Sequence, residues 1–283
     1  MIKIDGEVID IGSFPDGSIF VNYAVSPHQK MGHAKISWYY ENDREFLTLI
    51  YLVNHLRANE VRDISLYMPY IPNARMDRVK DPEDVFTLKY FASILNSLNL
   101  TRVEVLDPHS SVSEALISNL CVLTPANYIH QILERIPVKE WSSIDDPLEF
   151  NPEPKKRYSL TMFYPDEGAM KRYSGLVELP YAFGIKKRDW KTGTIEGLDV
   201  AGATECIFGR DILIVDDICS RGGTFLHSAK KLKELGAHDI YLYISHCENT
   251  ILEGDLLKGD LIKKVYTTNS IFTKEHEKIE VLV

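Results

Sequence analysis

The chain has 283 residues, 45% of them hydrophobic and 26% charged, with a formal net charge of −9. That length can fill two cores of moderate size, and the acidic balance argues against a general nucleic-acid binder, which needs a basic surface. The four cysteines form no C-x-x-C pair, so free thiols in a reducing, cytoplasmic setting are expected. The segment MIKIDGEVID lacks the apolar centre of a signal peptide, and no apolar run approaches the roughly 18 residues of a membrane span.

Along the chain, residues 41–59 read as a helix with Phe46, Leu49, Ile50, Val53 and Leu56 on one face. ISLYM (Ile64–Met68) reads as a buried strand, residues 84–99 as a helix, and RVEVLD (Arg102–Asp107) as a second strand. The polar stretch 139–156, with Asp145 and Asp146, is expected to connect two halves. Beyond it come a strand at Tyr158–Tyr164, a helix near 167–179 and a strand at Tyr181–Ile185. The strand ILIVDD (Ile212–Asp217) leads to a helix over 223–235, with Gly236 at its C-terminal cap, then strands DIYLYISH and KKVYTT. The alternation predicts an α/β protein of two similar domains, 1–125 and 126–283, each a parallel sheet flanked by helices. In such sheets ligands bind beyond the carboxyl ends of the strands.

Three predicted strands end in polar loops of chemical interest: LDPH, YPDEG and VDDICSRGGT. In the last, Asp216 and Asp217 stand where a crevice would open. Carboxylates there can accept hydrogen bonds from ribose hydroxyls, directly or through Mg²⁺. Ser220, Arg221, Gly222, Gly223 and Thr224 then lead into a helix. Glycines let backbone N–H groups approach an anion, and the helix start adds partial positive charge. Taken alone, this loop suits either a sugar-phosphate cradle or a capped strand-to-helix turn.

VDDICSRGGT resembles the PRPP-binding loop of type I phosphoribosyltransferases and PRPP synthetases. FPDG (Phe14–Gly17), END from Glu41, PYIPNARMDR (Pro69–Arg78), LDPHS (Leu106–Ser110), PDEG (Pro165–Gly168) and KKR (Lys186–Arg188) precede it. Their order and approximate spacing are similar to those of PRPP synthetase, the ribose-phosphate diphosphokinase family, over roughly Gly12 to Thr268. The resemblance implies phosphoribosyltransferase-type domains, an ATP-binding first half and a ribosyl-phosphate-binding second half. The implied reaction moves the β,γ-diphosphoryl group of Mg-ATP to the 1-hydroxyl of a ribose 5-phosphate moiety, releasing AMP. Lys186 and Arg188 match the catalytic basic pair, and Arg75 and Arg78 lie in the ATP loop. Phe14 and Asp16 match an adenine-recognition hairpin that reaches a neighbouring subunit, so a homodimer or homohexamer is expected. His109 and Asp166 match the metal site.

The sequence departs from the family pattern at several points. Ser18 stands for a glutamate, Met76 for a glutamine, and Ser220-Arg221 for an Asp-Thr pair. The last exchange removes an acid and adds a cation beside the phosphate loop, which suggests more negative charge or a larger anion to grip, against the plainer reading that Arg221 strengthens ribose 5-phosphate binding or points to solvent. The resemblance therefore leaves two acceptors, ribose 5-phosphate and ADP-ribose, the latter used by phage-encoded relatives and a route to NAD resynthesis. A phosphoribosyltransferase or an inactive regulatory paralogue are the readings from other classes. The ATP-type motifs argue against the first and the retained basic pair against the second.

Overall fold

A computed structural model describes residues 1–137, 160–188 and 195–283, with backbone only for residues 186–188, 195 and 196. The expected connector at 139–156 lies outside the described residues. The described chain forms two compact units, Met1–Thr124 and Pro125–Val283.

The first unit opens with short strands β1 (Ile2–Ile4) and β2 (Glu7–Val8), the hairpin β3 (Ile11–Ser13) and β4 (Ile19–Val21), and the short helix α1 (Pro27–Met31). The strand β5 (His33–Trp38), helix α2 (Asp43–Ala58), strand β6 (Asp63–Tyr67), helix α3 (Thr87–Ser97) and strand β7 (Arg102–Leu106) follow, then α4 (Val112–Leu116) and β8 (Leu120–Leu123). The sheet order is β2-β1-β5-β6-β7-β8. Strands β5 to β8 are parallel neighbours, and β1 and β2 add an antiparallel edge. The predicted face of α2 is the buried one. Leu49, Val53 and Leu56 join Leu52 in the core with Ile36, Ile64 and Val105, while Phe46 and Ile50 pack at its border. Glu45 sits almost buried on this helix because its carboxylate accepts hydrogen bonds from the Trp38 indole (3.0 Å) and the Glu41 amide (2.9 Å).

The second unit contains α5 (Ala126–Arg135), β9 (Leu160–Tyr164), α6 (Glu167–Tyr173), the hairpin β10 (Tyr181–Arg188) and β11 (Ile195–Gly202), β12 (Asp211–Cys219), α7 (Gly223–Glu234), β13 (Ile240–Cys247), β14 (Lys264–Thr268) and β15 (Ile279–Leu282). The sheet order is β11-β10-β9-β12-β13-β14-β15, parallel except for the β10–β11 hairpin. The ILIV run of β12 is apolar throughout because both faces of the sheet are covered. Ile212 and Ile214 pack with Phe225, Ala229 and Leu232 of α7. Leu213 and Val215 face the opposite layer, with Ile129 and Ile132 of α5 and Ala169 and Tyr173 of α6.

Several boundaries depart from the sequence expectation. The helix predicted at 84–99 begins at Thr87, because the Asp84 carboxylate accepts the amides of Lys80 and Asp81 and closes a turn instead. The helix expected to reach 179 stops at Tyr173. Strand β10 extends three residues past Ile185 in a hairpin with β11, a strand the sequence reading did not contain. Strand β12 runs through both acids to Cys219, paired in register with Cys247 of β13.

Candidate active site

In the second unit, the parallel strand β12 carries Asp216 and Asp217 at its carboxyl end and passes directly to α7. Gly222 occupies the helix N-cap with φ +78°. A Cβ there would lie 2.7 Å from the Leu256 side chain, so both the left-handed backbone and the close packing call for glycine. A Cβ at Gly223 would meet open space, and Thr224 is exposed. The start of α7 thus presents amides not committed to the helix beside an open surface, the geometry that receives an anion.

Asp217 is buried (3% exposed) and accepts a 2.9 Å hydrogen bond from Nη2 of Arg172 on α6. The same nitrogen is 3.7 Å from Oδ1 of Asp216. Burial pushes the Asp216 carboxyl well above the ordinary carboxylate value, and the neighbouring Asp217 pushes it further, partly offset by Arg172. Asp166 caps α6, its Oδ1 accepting the Ala169 amide at 3.1 Å. Arg221 points along the outside of the loop. Its Nη2 is 3.1 Å from Oε2 of Glu253, and both side chains are largely exposed. Ser220 is half-buried. The loop is pressed against the segment 249–256: a Cβ at Gly254 would fall 2.0 Å from the Arg221 carbonyl oxygen.

Lys186 and Arg188 lie on β10, their backbones in register with Leu198 and Ile195 of β11. Their side chains are outside the described residues.

In the first unit, the loops after β6 and β7 meet at the carboxyl edge of the sheet, where the Leu106 amide donates to the Pro69 carbonyl. Asp107 ends β7 in a left-handed conformation, φ 41°, buried to 5%. Asp77, also 5% exposed, accepts two hydrogen bonds from Arg78, Nε to Oδ1 at 2.8 Å and Nη2 to Oδ2 at 3.1 Å. The Arg78 hydrogen bond holds the Asp77 carboxyl below its ordinary value against the opposing effect of burial; Ser110 and His109 lower it further. The two loops therefore bring Asp77 and Arg78, which follow β6, together with His109 and Ser110, which follow β7. Arg75 is exposed on the loop after β6. Phe14 and Asp16 lie in the β3–β4 connection. Phe14 is 54% exposed and packs on Phe20, ring centroids 5.2 Å apart. The Asp16 carboxylate accepts both the amide (2.9 Å) and the hydroxyl (2.6 Å) of Ser18, and these bonds lower its pKa.

Sequence reading missed Arg172 and Glu253, and took Asp77 only as a surface ion-pair partner for Arg75 or Arg78, a pair the structure has with Arg78. A basic residue in the last turn of a helix, or an acid beside an arginine, commonly serves the helix dipole or a surface pair, and only the fold puts Arg172 on the acids of another strand. It also missed a group at the opposite end of β12. There Asp211, His238 and Asp239 hold their ligand-type atoms within 4.8 Å of one another. His238 Nδ1 is 2.7 Å from Asp211, and Lys263 pairs with Asp239, so internal partners account for this group.

No protein-family model matches the chain. A ribose-phosphate pyrophosphokinase of Bacillus subtilis (strain 168) is 26% identical over 244 residues, 84% of this chain and 69% of that protein. One from Bacillus caldolyticus is 24% identical over 279 residues, 96% of this chain and 81% of that protein. Among solved structures, the phosphoribosylpyrophosphate synthetase of Mycobacterium smegmatis superposes with a TM-score of 0.74 at 18% identity, covering 97% of this chain and 85% of that one. The fold is therefore shared across nearly the whole chain. With two acids and a glycine-started helix standing at the carboxyl end of a central parallel strand, the chain has the fold of that PRPP synthetase and is similar along most of its length to relatives of one name, the ribose-phosphate pyrophosphokinases.

Proposed function

We propose that the protein transfers the β,γ-diphosphoryl group of Mg-ATP to the anomeric hydroxyl of ribose 5-phosphate, giving PRPP and AMP. The sugar's 1-oxygen attacks the β-phosphorus, its proton is lost, and the bond from that phosphorus to the oxygen bridging to the α-phosphate breaks. The observation that carries the reading is the β12–α7 junction. Asp216 and Asp217 accept hydrogen bonds from the ribose hydroxyls, and the amides from Gly222 to Thr224 receive the 5-phosphate. Reaction at such a charged group rests on positioning and cationic stabilisation. Lys186 and Arg188 on β10 supply those cations, and Arg75 and Arg78 hold the triphosphate in the ATP half, residues 1–124. Phe14 packs on adenine.

Mg²⁺ arrives with ATP as part of the substrate and draws charge from the phosphates. Carboxylate oxygen is the donor such a hard ion prefers, which fits Asp166; His109 offers nitrogen, less usual for Mg²⁺. Because Ser18 already occupies the Asp16 carboxylate, the adenine contact in this chain rests more on Phe14 than on Asp16. The exposed aromatic is suited to completing a site on a second copy, so the active form is a homo-oligomer. A cytoplasmic setting follows from the substrates, and among the described residues no helix is long and apolar enough to cross a membrane.

One observation favours a second acceptor, ADP-ribose. Arg221 lies outside the phosphate loop with its guanidinium exposed beside Glu253, where it can grip a second phosphate esterified to the first. Following AMP release from Mg-ATP with each acceptor decides between them. Turnover on ribose 5-phosphate at least tenfold above that on ADP-ribose supports the first reading, and the reverse preference replaces it with the second.

A further inference from the structure

We infer that Arg172 is a positioning residue for the sugar site: its guanidinium aims the Asp217 carboxylate and balances the charge of the acid pair, so that both acids can accept hydrogen bonds from the ribose diol. The inference rests on the reading of the β12–α7 junction as a ribose-phosphate site, and it assigns that site a residue that the motifs do not include.

Three observations converge on it. Arg172 reaches from α6 to a different strand and donates to the buried Asp217 at 2.9 Å, with Asp216 at 3.7 Å. A buried carboxylate without a partner is costly, and a second acid beside it doubles the problem. Without a nearby cation, two adjacent carboxylates tend to share one proton, and a protonated acid donates where the sugar hydroxyls need an acceptor. The guanidinium is itself held. Its Cζ lies over the Tyr173 ring at 5.1 Å, and Tyr173 is 1% exposed in the core shared with Leu213 and Val215. The helix that carries Arg172 is fixed at its start by the Asp166 cap, on the loop that follows β9. The side chain keeps 30% of its surface exposed, so it borders the open site and is not a core ion pair.

A planar fork suits this duty better than an ammonium, because it can address two carboxylates in fixed geometry. Losing a hydrogen bond to a charged group costs enough to weaken binding about 10- to 100-fold. The test is calorimetric binding of ribose 5-phosphate to the full chain without ATP, with steady-state KM values for both substrates. Arg172→Met is expected to weaken ribose 5-phosphate binding about 10- to 100-fold, to leave the KM for ATP within about twofold, and to lower the thermal midpoint, since the buried Asp217 carboxylate loses its cation. Arg172→Lys, which retains the charge but not the fork, is expected to fall between the two; if Arg172→Met does not fold, this variant carries the test. Equal affinity for ribose 5-phosphate in wild type and variant overturns the inference. So does a parallel loss of both substrates, which marks a purely structural role. A wild-type protein that binds no ribose 5-phosphate defeats the functional reading itself, and the inference with it.

Discussion

At Gly222 two independent constraints meet, a φ of +78° and a Leu256 side chain where a Cβ would stand. Gly222→Ala is expected to cost about 1–2 kcal/mol from the left-handed backbone alone, with further loss from the displaced Leu256, measurable as a lowered denaturant midpoint. Asp216 gives a pH-dependent prediction. Its carboxyl is harder to ionise in the fold than in the unfolded chain, through burial first and Asp217 second. A raised folded pKa contributes stability that is fully present below the ordinary value of 3.8 and is lost as pH rises through the folded value. Asp216→Asn removes that loss, so its melting temperature should gain on wild type between acid and neutral pH. A constant difference across that range would contradict the assignment. The sequence made Asp216, Asp217 and the glycines legible because local pattern alone places acids at a strand end and glycines before a helix. The partners of these residues were hidden. Arg172 on Asp217 and Glu253 on Arg221 are separated by 45 and 32 positions in the chain, and no local periodicity reports such pairs.

Among the elements, β12 and α7 form the unit that matters most. The helix stays on the sheet through Phe225, Ala229 and Leu232, all buried. Leu232 is fully buried, so Leu232→Ala should cost about 2–5 kcal/mol in unfolding free energy. Because that residue lies two turns beyond the loop, the cost should appear in stability well before it appears in sugar-phosphate affinity. The same elements show where pattern reading stops. The ILIV run reads as a strand from sequence, and the fold buries both of its faces. Its continuation to Cys219 depends on pairing with β13, since the residues DIC by themselves resemble a loop. Strand β11, IEGLDVAG, was invisible for a related reason. It has two glycines and two acids, and is a strand only because β10 pairs with it. Helix α6 was overdrawn because Leu176 and Leu179 continue a helical rhythm past the point where the backbone turns; the Leu176 amide donates to Tyr173.

At the scale of the molecule, two parallel-sheet units each place candidate site residues at the carboxyl ends of strands, as open α/β sheets do. The first gathers Arg78, Asp77, Ser110 and His109, and the second the two acids, Arg172 and the glycine loop. Under the proposed function, an acidic chain has to concentrate its cations locally to bind polyanionic substrates. Added salt should therefore weaken substrate binding through the exposed Arg75 and Arg221 more than through the half-buried Arg172, a ranking that KM values of single variants between 0.05 and about 0.5 M salt can check. The fate of the diphosphoryl group is read by phosphorus NMR of the protein with Mg-ATP and ribose 5-phosphate, run beside Lys186→Ala. AMP and a new diphosphate signal on the anomeric carbon of the sugar are expected, formed by wild type and lost in the variant. ATP left intact, or orthophosphate released with no sugar diphosphate, rules the proposed transfer out.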